Sequence, residues 1–534
     1  MNRDHGRLLF GLSDNPLADG AADLIGIPPR HPDDFAGKIY RLNLDNDTAE
    51  WELMFEMDGI TGWRRMIIFN DDLFVLAGLS DVRRGLDYSV VLRFRPDFEY
   101  GDQPDIVMWD FAIQAEFYRA AAVYDGRLYI GTFDTSIFVT DGTDLQNLTP
   151  GADLVPNPNY PAAGRPMIPR PGSNHAGWQR LVMINHGPAP VGYIGDRAGV
   201  IWDLIGFNGY IYAIVTNPEG FVMYKINPVT RATTQIVGSS AEAQFPRGMG
   251  IRANVTASPF VFTVDGTEYV YITTFSNGPT FVVQFARGAA GALPDIIAPS
   301  QIYRFDADDN WELLVGDSEG YFAARNAAGE IMQPLGQNRA GFFTGEGQNF
   351  SMNQYIWWMA EYNGRLYATT WDISMWKQHI TGFTILTFAG MLNAENPEIL
   401  QRLAPAITPL VTFLYRGDAG LFRSICLFFR AVWGVIRVLP TLFVNFRVLL
   451  ATFRQARAEI ALLDGYLAYT GNPEGFDLWV SDDGINFEPV TTDGFGRPED
   501  FGGRIMLGSE EYGLFLGTAN PFTGARMYRL NATQ

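Results

Sequence analysis

A tight-turn dipeptide set between two short apolar runs recurs along the chain. Residues 361–372 read EYNGRLYATTWD, with Asn363-Gly364 at the turn. The same arrangement returns as AVYDGRLYIGTFD at 122–134, GFNGYIYAIVTN at 206–217, IFNDDLFVLAGLSD at 68–81 and LLDGYLAYTGN at 462–472, with looser copies at 262–277 and 507–520. Asn-Gly and Asp-Gly supply the two positive-φ positions of a type I′ turn, whose twist matches that of paired strands, so each copy reads as strand, turn, strand. Repetition on this length scale marks a repeat architecture and overrides a domain count taken from length alone.

A second phrase follows the first in several copies: KIYRL at 38–42, MYKI at 223–226, QIYRF at 301–305 and RMYRL at 526–530. In two copies a polar turn and a further strand come next, Trp51-Glu52-Leu53 and Trp311-Glu312-Leu313. The full unit is four short strands in a meander, which is one blade of a β-propeller. Each blade buries its apolar face on the next. Starts of the first phrase near residues 64, 119, 200, 258, 356, 458 and 501 predict an all-β, seven-bladed β-propeller, with eight or six blades as alternatives. In the seven-bladed form the N- and C-terminal pieces complete one blade and leave no exposed edge. The predicted organisation is propeller over 1–376, with an irregular Pro- and Gly-rich loop at 151–199, an insertion at 377–457, and propeller again over 458–534.

Composition excludes some functions. The chain is 47% apolar and 14% aromatic, enough for a large core, and carries a net charge of −20, which argues against nucleic-acid binding. Cys426 is the sole cysteine, so no internal disulfide forms. The N-terminal stretch MNRDHGRLLFGLSDNP lacks the basic and apolar regions of a signal peptide, and the expectation is a cytoplasmic or peripheral membrane location.

Residues 480–487, Val-Ser-Asp-Asp-Gly-Ile-Asn-Phe, resemble an Asp-box, the hairpin motif of sialidase-like propellers. The longer stretch 472–479 with Asp493-Gly494-Phe495-Gly496 and Gly517-Thr518-Ala519-Asn520-Pro521 is similar to repeats of uncharacterised bacterial propeller proteins, over residues 458–530. What the resemblance implies is a folding element, in which Asp and Ser satisfy a tight turn. It implies no catalysis, because the arginine triad and Tyr nucleophile of a sialidase have no counterparts that can be placed.

Residues 377–457 break the repeat. Apolar stretches at 397–415, 419–439 and 442–457, separated by Gly417 and Pro440, predict an α-helical hydrophobic insertion. Between 401 and 457 there are eight Arg and one acid, Asp418. Arg416, Arg423, Arg430 and Arg437 are seven apart, about 700° of helix, and so share one stripe. Phe428, Phe429 and Trp433 are among the apolar residues covering the rest. Such a helix suits a membrane interface, a lid over an apolar ligand, or a small packed subdomain. A spanning helix is disfavoured by Arg430.

The hairpin phrase ends repeatedly in Asp or Asn: Asp81, Asp134, Asn217, Asp372, Asn472 and Asn520 among them. These positions predict a ring of such side chains on one face, with Trp371 beside it. The plain reading is a set of Asx-turns. The chemical reading takes Asp134, Asp372 and Asp81 as acids or metal ligands, and Asn217, Asn472, Asn520 and Trp371 as the mouth of a ligand site. The sequence names no cofactor and fixes no metal. Five histidines (His5, His31, His175, His186 and His379) do not fall on four blades, and no phosphate loop or nucleophile elbow is present. Two functions follow as expectations: a binding or scaffold protein attached through the insertion to a membrane or apolar partner, or an enzyme on an apolar substrate beneath it.

Overall fold

A computed structural model describes residues 2–4, 7–12, 36–44, 50–81, 86–111, 118–157, 167–184, 199–276, 294–349, 351–373, 473–520 and 525–530. The predicted turns form as their chemistry requires. Both central residues have positive φ at Asn363-Gly364 (52° and 69°), Asp125-Gly126 (47° and 66°) and Asn208-Gly209 (46° and 81°). Each turn then closes an antiparallel pair.

The pairs extend into antiparallel meanders. The first holds β1 (Asn2–Asp4), β2 (Arg7–Leu12), β3 (Ala36–Asn43) and β4 (Trp51–Asp58), and the second β5 (Ile60–Phe69), β6 (Asp72–Asp81), β7 (Leu86–Phe94) and β8 (Asp105–Phe111). The third holds β9 (Tyr118–Tyr124), β10 (Arg127–Thr132) and β11 (Ser136–Thr140). A two-stranded arm of β12 (Leu154–Pro156) and β13 (Met167–Pro169) follows, and β14 (Gln179–Met183) returns to pair with β11. The fourth runs β15 (Ile201–Phe207), β16 (Tyr210–Val215), β17 (Val222–Ile226) and β18 (Thr233–Val237). An 11-stranded sheet carries the rest. Its parts are β19 (Asn254–Val264) to β20 (Thr267–Ser276), β21 (Ile302–Phe305) and β22 (Trp311–Val315); β23 (Asn353–Tyr362), β24 (Arg365–Asp372), β25 (Leu478–Ser481) and β26 (Glu488–Thr491); and β27 (Gly502–Ser509), β28 (Gly513–Ala519) and β29 (Met527–Leu530). Single pairs, Phe275 with Tyr355 and Trp371 with Gly502, join these three meanders into one sheet.

The core lies between successive meanders. Phe55 of the first packs with Trp63 and Phe94 of the second, and Tyr129 and Ile137 of the third pack with Leu204 and Ile211 of the fourth. At the far end Phe515 of β28 packs with Leu42 of β3, so the last meander rests on the first. No meander could bury both its faces alone. Close approach is built in at Gly508, where an added Cβ would collide with the Glu361 carbonyl of the preceding meander. The build is all-β and propeller-like.

One expectation is corrected. The described residues contain no α-helix, only short 3-10 turns such as Arg247–Gly250 and Ala340–Phe342, and none holds a helix long and apolar enough to cross a membrane. The α-helical component of the predicted fold class is therefore withdrawn: in the described chain period-two alternation and tight turns put the backbone bonds into antiparallel ladders. The segment that prompted it, with Arg416, Arg423, Phe428, Phe429, Arg430, Trp433 and Arg437, lies outside the described residues, as does Asn472. The N-terminal strand β1 folds back on β2 (Asn2 opposite Leu9), while β29 pairs with β28, each end in its own sheet. The stretch 374–472 falls between β24 and β25, so the described sheets do not by themselves number the blades.

Candidate functional site

The first strand of a meander is its innermost, and five of these strands carry the same irregularity. Their register with the second strand slips by one residue, leaving Arg64 in β5, Arg119 in β9, Trp202 in β15, Trp357 in β23 and Arg504 in β27 as the extra residue. A bulge of this kind bends the strand and re-aims its side chains. At this position every extra residue is Arg or Trp, whereas second slips in β5 and β23 leave out Thr61 and Gln354. Two pairs of them stack: the Arg119 guanidinium lies 3.6 Å from the Trp202 ring centre, and that of Arg504 lies 4.6 Å from Trp357. In β19 the slip comes earlier, at Val255.

The neighbouring column, four residues before the turn, converges across the molecule. Arg65 of β5 reaches Asp203 of β15 (Nη2 to Oδ1, 3.6 Å) and lies over the Trp358 ring of β23 at 5.2 Å. These strands belong to the second, fourth and sixth meanders, so the inner strands face a common axis. Trp202 Nε1 donates to the Tyr355 hydroxyl (3.3 Å), which also meets the Ser258 hydroxyl at 3.0 Å. Burial pushes the Tyr355 phenol up, and it stays neutral.

Beside this cluster lies a cavity of about 540 Å³, in the range of small-molecule sites. Arg65, Asp203, Ser258, Phe260, Trp357 and Trp358 form its deeper wall, and Glu361, Asn363 and Glu510 stand by the hairpin turns at its rim. Asp203 is 7% exposed, and Leu204 N donates to its Oδ1 at 3.0 Å. Burial pushes its carboxyl up, a shift that Arg65 and the Leu204 N–H oppose. The site offers apolar ring faces, one carboxylate and one guanidinium.

The residues singled out from sequence lie elsewhere. None of Asp134, Asn217, Asp372, Asn520 or Trp371 lines the cavity. They sit at or just beyond the opposite ends of the second strands, away from the turns that form the rim. Asp134 Oδ1 accepts from the Thr132 hydroxyl and from Ser136 N, and Asn217 Oδ1 accepts from Glu219 N, both as Asx-turns do. Asp372 is 2% exposed and opposes Asn353 in the ladder. Asn520 donates to Asp500 (2.7 Å), a fully buried carboxylate that also accepts from Arg526 and Tyr528. Asp81 ends β6, opposite Leu86. Trp371 packs against Phe275 and Trp357, behind the cavity wall. No group of three or more metal-ligating side chains occurs among the described residues.

Sequence reasoning missed Arg65, Asp203, Trp357 and Trp358, although a signal was present. GWRRMII at 62–68, YRAAAVY at 118–124, IWDLIGF at 201–207 and IWWMAEY at 356–362 each interrupt an apolar strand with Arg or Trp at one fixed distance from the turn. That break in alternation is the trace of the bulge.

No family model matches the chain, and no curated protein matches it. Among solved structures it is similar to one of a nidogen/laminin complex, at 10% identity and a TM-score of 0.28 over 63% of this chain and 83% of that one. It is also similar to a protein assigned as TolB from Agrobacterium tumefaciens, at 11% identity and a TM-score of 0.27 over 58% and 83%. An oligogalacturonate lyase in complex with manganese matches at 11% identity and a TM-score of 0.26 over 55% and 62%. The neighbours are propeller-type proteins matched at low TM-score, and the fold assignment rests on the meanders themselves.

Proposed function

We propose that this protein is a propeller-like binding module that holds a small molecule in its axial cavity. The observation that carries the reading is the convergence of Arg65, Asp203 and Trp358 from three separate meanders on one cavity of about 540 Å³. Placing a buried carboxylate and a guanidinium there costs desolvation, which a purely structural interior avoids by using apolar residues. Rigid inner strands hold the groups, so the site is preformed and binding requires little ordering.

The test is a fragment screen by saturation-transfer NMR on the full chain, repeated with Trp358→Ala. Fragments are expected to bind the wild type and to be lost in the variant, while its circular dichroism stays the same. An empty screen, or hits that all survive the substitution, would overturn the reading.

A further inference from the structure

We infer that the axial site takes an anionic ligand, one bearing a carboxylate or phosphate group, held by arginines of the innermost strands. The inference rests on the binding reading above. The first observation is a reversal of charge. Over the whole chain 59 Asp and Glu outnumber 39 Lys and Arg. The innermost strands β5, β9, β15, β19, β23 and β27 instead carry four Arg (Arg64, Arg65, Arg119 and Arg504) against two acids, Asp203 and Glu361. The short strand β1 adds one of each, Arg3 and Asp4. Glu361 stands four residues nearer the turn than Trp357, about 13 Å along the strand, and Glu510 lies at the rim with it. The positive surplus therefore belongs to the inner end of the site.

The second observation is the arrangement of the positive groups. Arg119 and Arg504 come from the third and last meanders, and each lies on a ring, that of Trp202 at 3.6 Å and that of Trp357 at 4.6 Å. Both rings meet Tyr355, Trp202 through its hydrogen bond (3.3 Å) and Trp357 by stacking at 5.6 Å. The two arginines thus flank one aromatic wall, and its Trp357 lines the cavity. Stacking engages the face of a guanidinium and none of its five in-plane N–H donors. It also holds the fork in one orientation, so less freedom is lost when a carboxylate or phosphate meets it. On the other side Arg65 and Arg119 both act on Asp203, drawing its carboxyl down against the pull of burial. Two half-buried guanidinium groups share that one carboxylate. An anion supplies the missing negative charge, a neutral ligand leaves the surplus as it is, and an ammonium adds to it.

The experiment is calorimetric titration of the full chain with benzoate, phenyl phosphate, benzyl alcohol and benzylamine. At least one anion is expected to bind about tenfold or more tightly than the alcohol, with the amine weakest, and to weaken as salt rises. The tighter anion identifies the group. Arg119→Gln and Arg504→Gln are each expected to remove about tenfold of the anion affinity and to leave the alcohol unchanged. If Arg119→Gln does not fold, the exposed Arg504 decides through its own variant. Alcohol or amine binding as tightly as both anions, or anion affinity that the folded variants leave unchanged, overturns the anion inference. Neutral fragments that still enter the cavity would leave the binding reading standing, whereas an empty fragment screen removes both.

Discussion

Asp477 sits immediately before β25, buried at 7% exposure, and its Oδ2 accepts from Asn353 Nδ2 (2.7 Å) and Trp479 Nε1 (3.2 Å). Burial dominates over these two donors and pushes its carboxyl from 3.8 up to about 7. The folded chain therefore holds this proton more tightly than the unfolded chain. Between about pH 4 and 7 the folded state is protonated where the unfolded state is not, so stability rises as pH falls through that window and the full cost is present above it. A rise from 3.8 to about 7 corresponds to about 4 kcal/mol opposing folding, as an upper bound. Asp477→Asn keeps an oxygen able to accept from both donors and carries no charge. Its urea midpoint is expected to exceed that of the wild type at about pH 8, by up to a few kcal/mol in stability, with the difference shrinking toward about pH 4. Taking the difference between the proteins at each pH cancels the titration of other groups. A variant less stable than wild type at every pH, or a difference that does not change with pH, would refute the reasoning. The first result would show that an amide cannot replace the acid at this position, and the second that folding does not shift the Asp477 titration.

Asp483 shows the opposite sign: burial raises its carboxyl, but donors from Asn486, Ile485 and Ser481 outweigh this and hold it at about 2, so Asp483→Ala should lower the urea midpoint above about pH 4 and lose that effect as pH falls toward 2. Gly508→Ala should cost about 1–3 kcal/mol of stability, read as a lowered denaturant midpoint, because the new methyl must push β27 away from the Glu361 carbonyl. Asp134→Ala should cost about 1 kcal/mol, by the same measurement, through loss of the turn that Thr132 and Ser136 form with it, and should leave cavity binding unchanged. Tyr355→Phe removes a hydroxyl shared by Trp202 and Ser258 and leaves two half-buried polar groups short of a partner, so stability should fall by about 1 kcal/mol, read as a lowered denaturant midpoint.

Local chemistry was legible in the chain. Asn363-Gly364 and its counterparts demanded positive φ, and only a hairpin meets that demand between two alternating runs. The carboxylates of Asp134 and Asp483 could be read as turn elements because their partners lie within a few residues. The α-helical part of the reading rested on long apolar stretches and arginine spacing in a segment outside the described residues, and the described chain is built of strands joined by loops and short 3-10 turns. Turn position also told which residues end the second strands, but not that the cavity opens beside the hairpin turns at the other end.

By itself the sequence determined the unit: four antiparallel strands, their turns and their apolar faces, all set by interactions between residues close in the chain. Tertiary structure decided the site. Arg65, Asp203 and Trp358 are separated by well over a hundred residues from one to the next, and the break in alternation that marks each of their strands does not say which of them meet. Their meeting follows from the packing of meander on meander, which turns one fixed position in each inner strand toward a shared axis. Periodicity specifies the face a residue occupies within its own strand. The partner it meets across the axis depends on how all the meanders stack, and that is a property of the assembled chain.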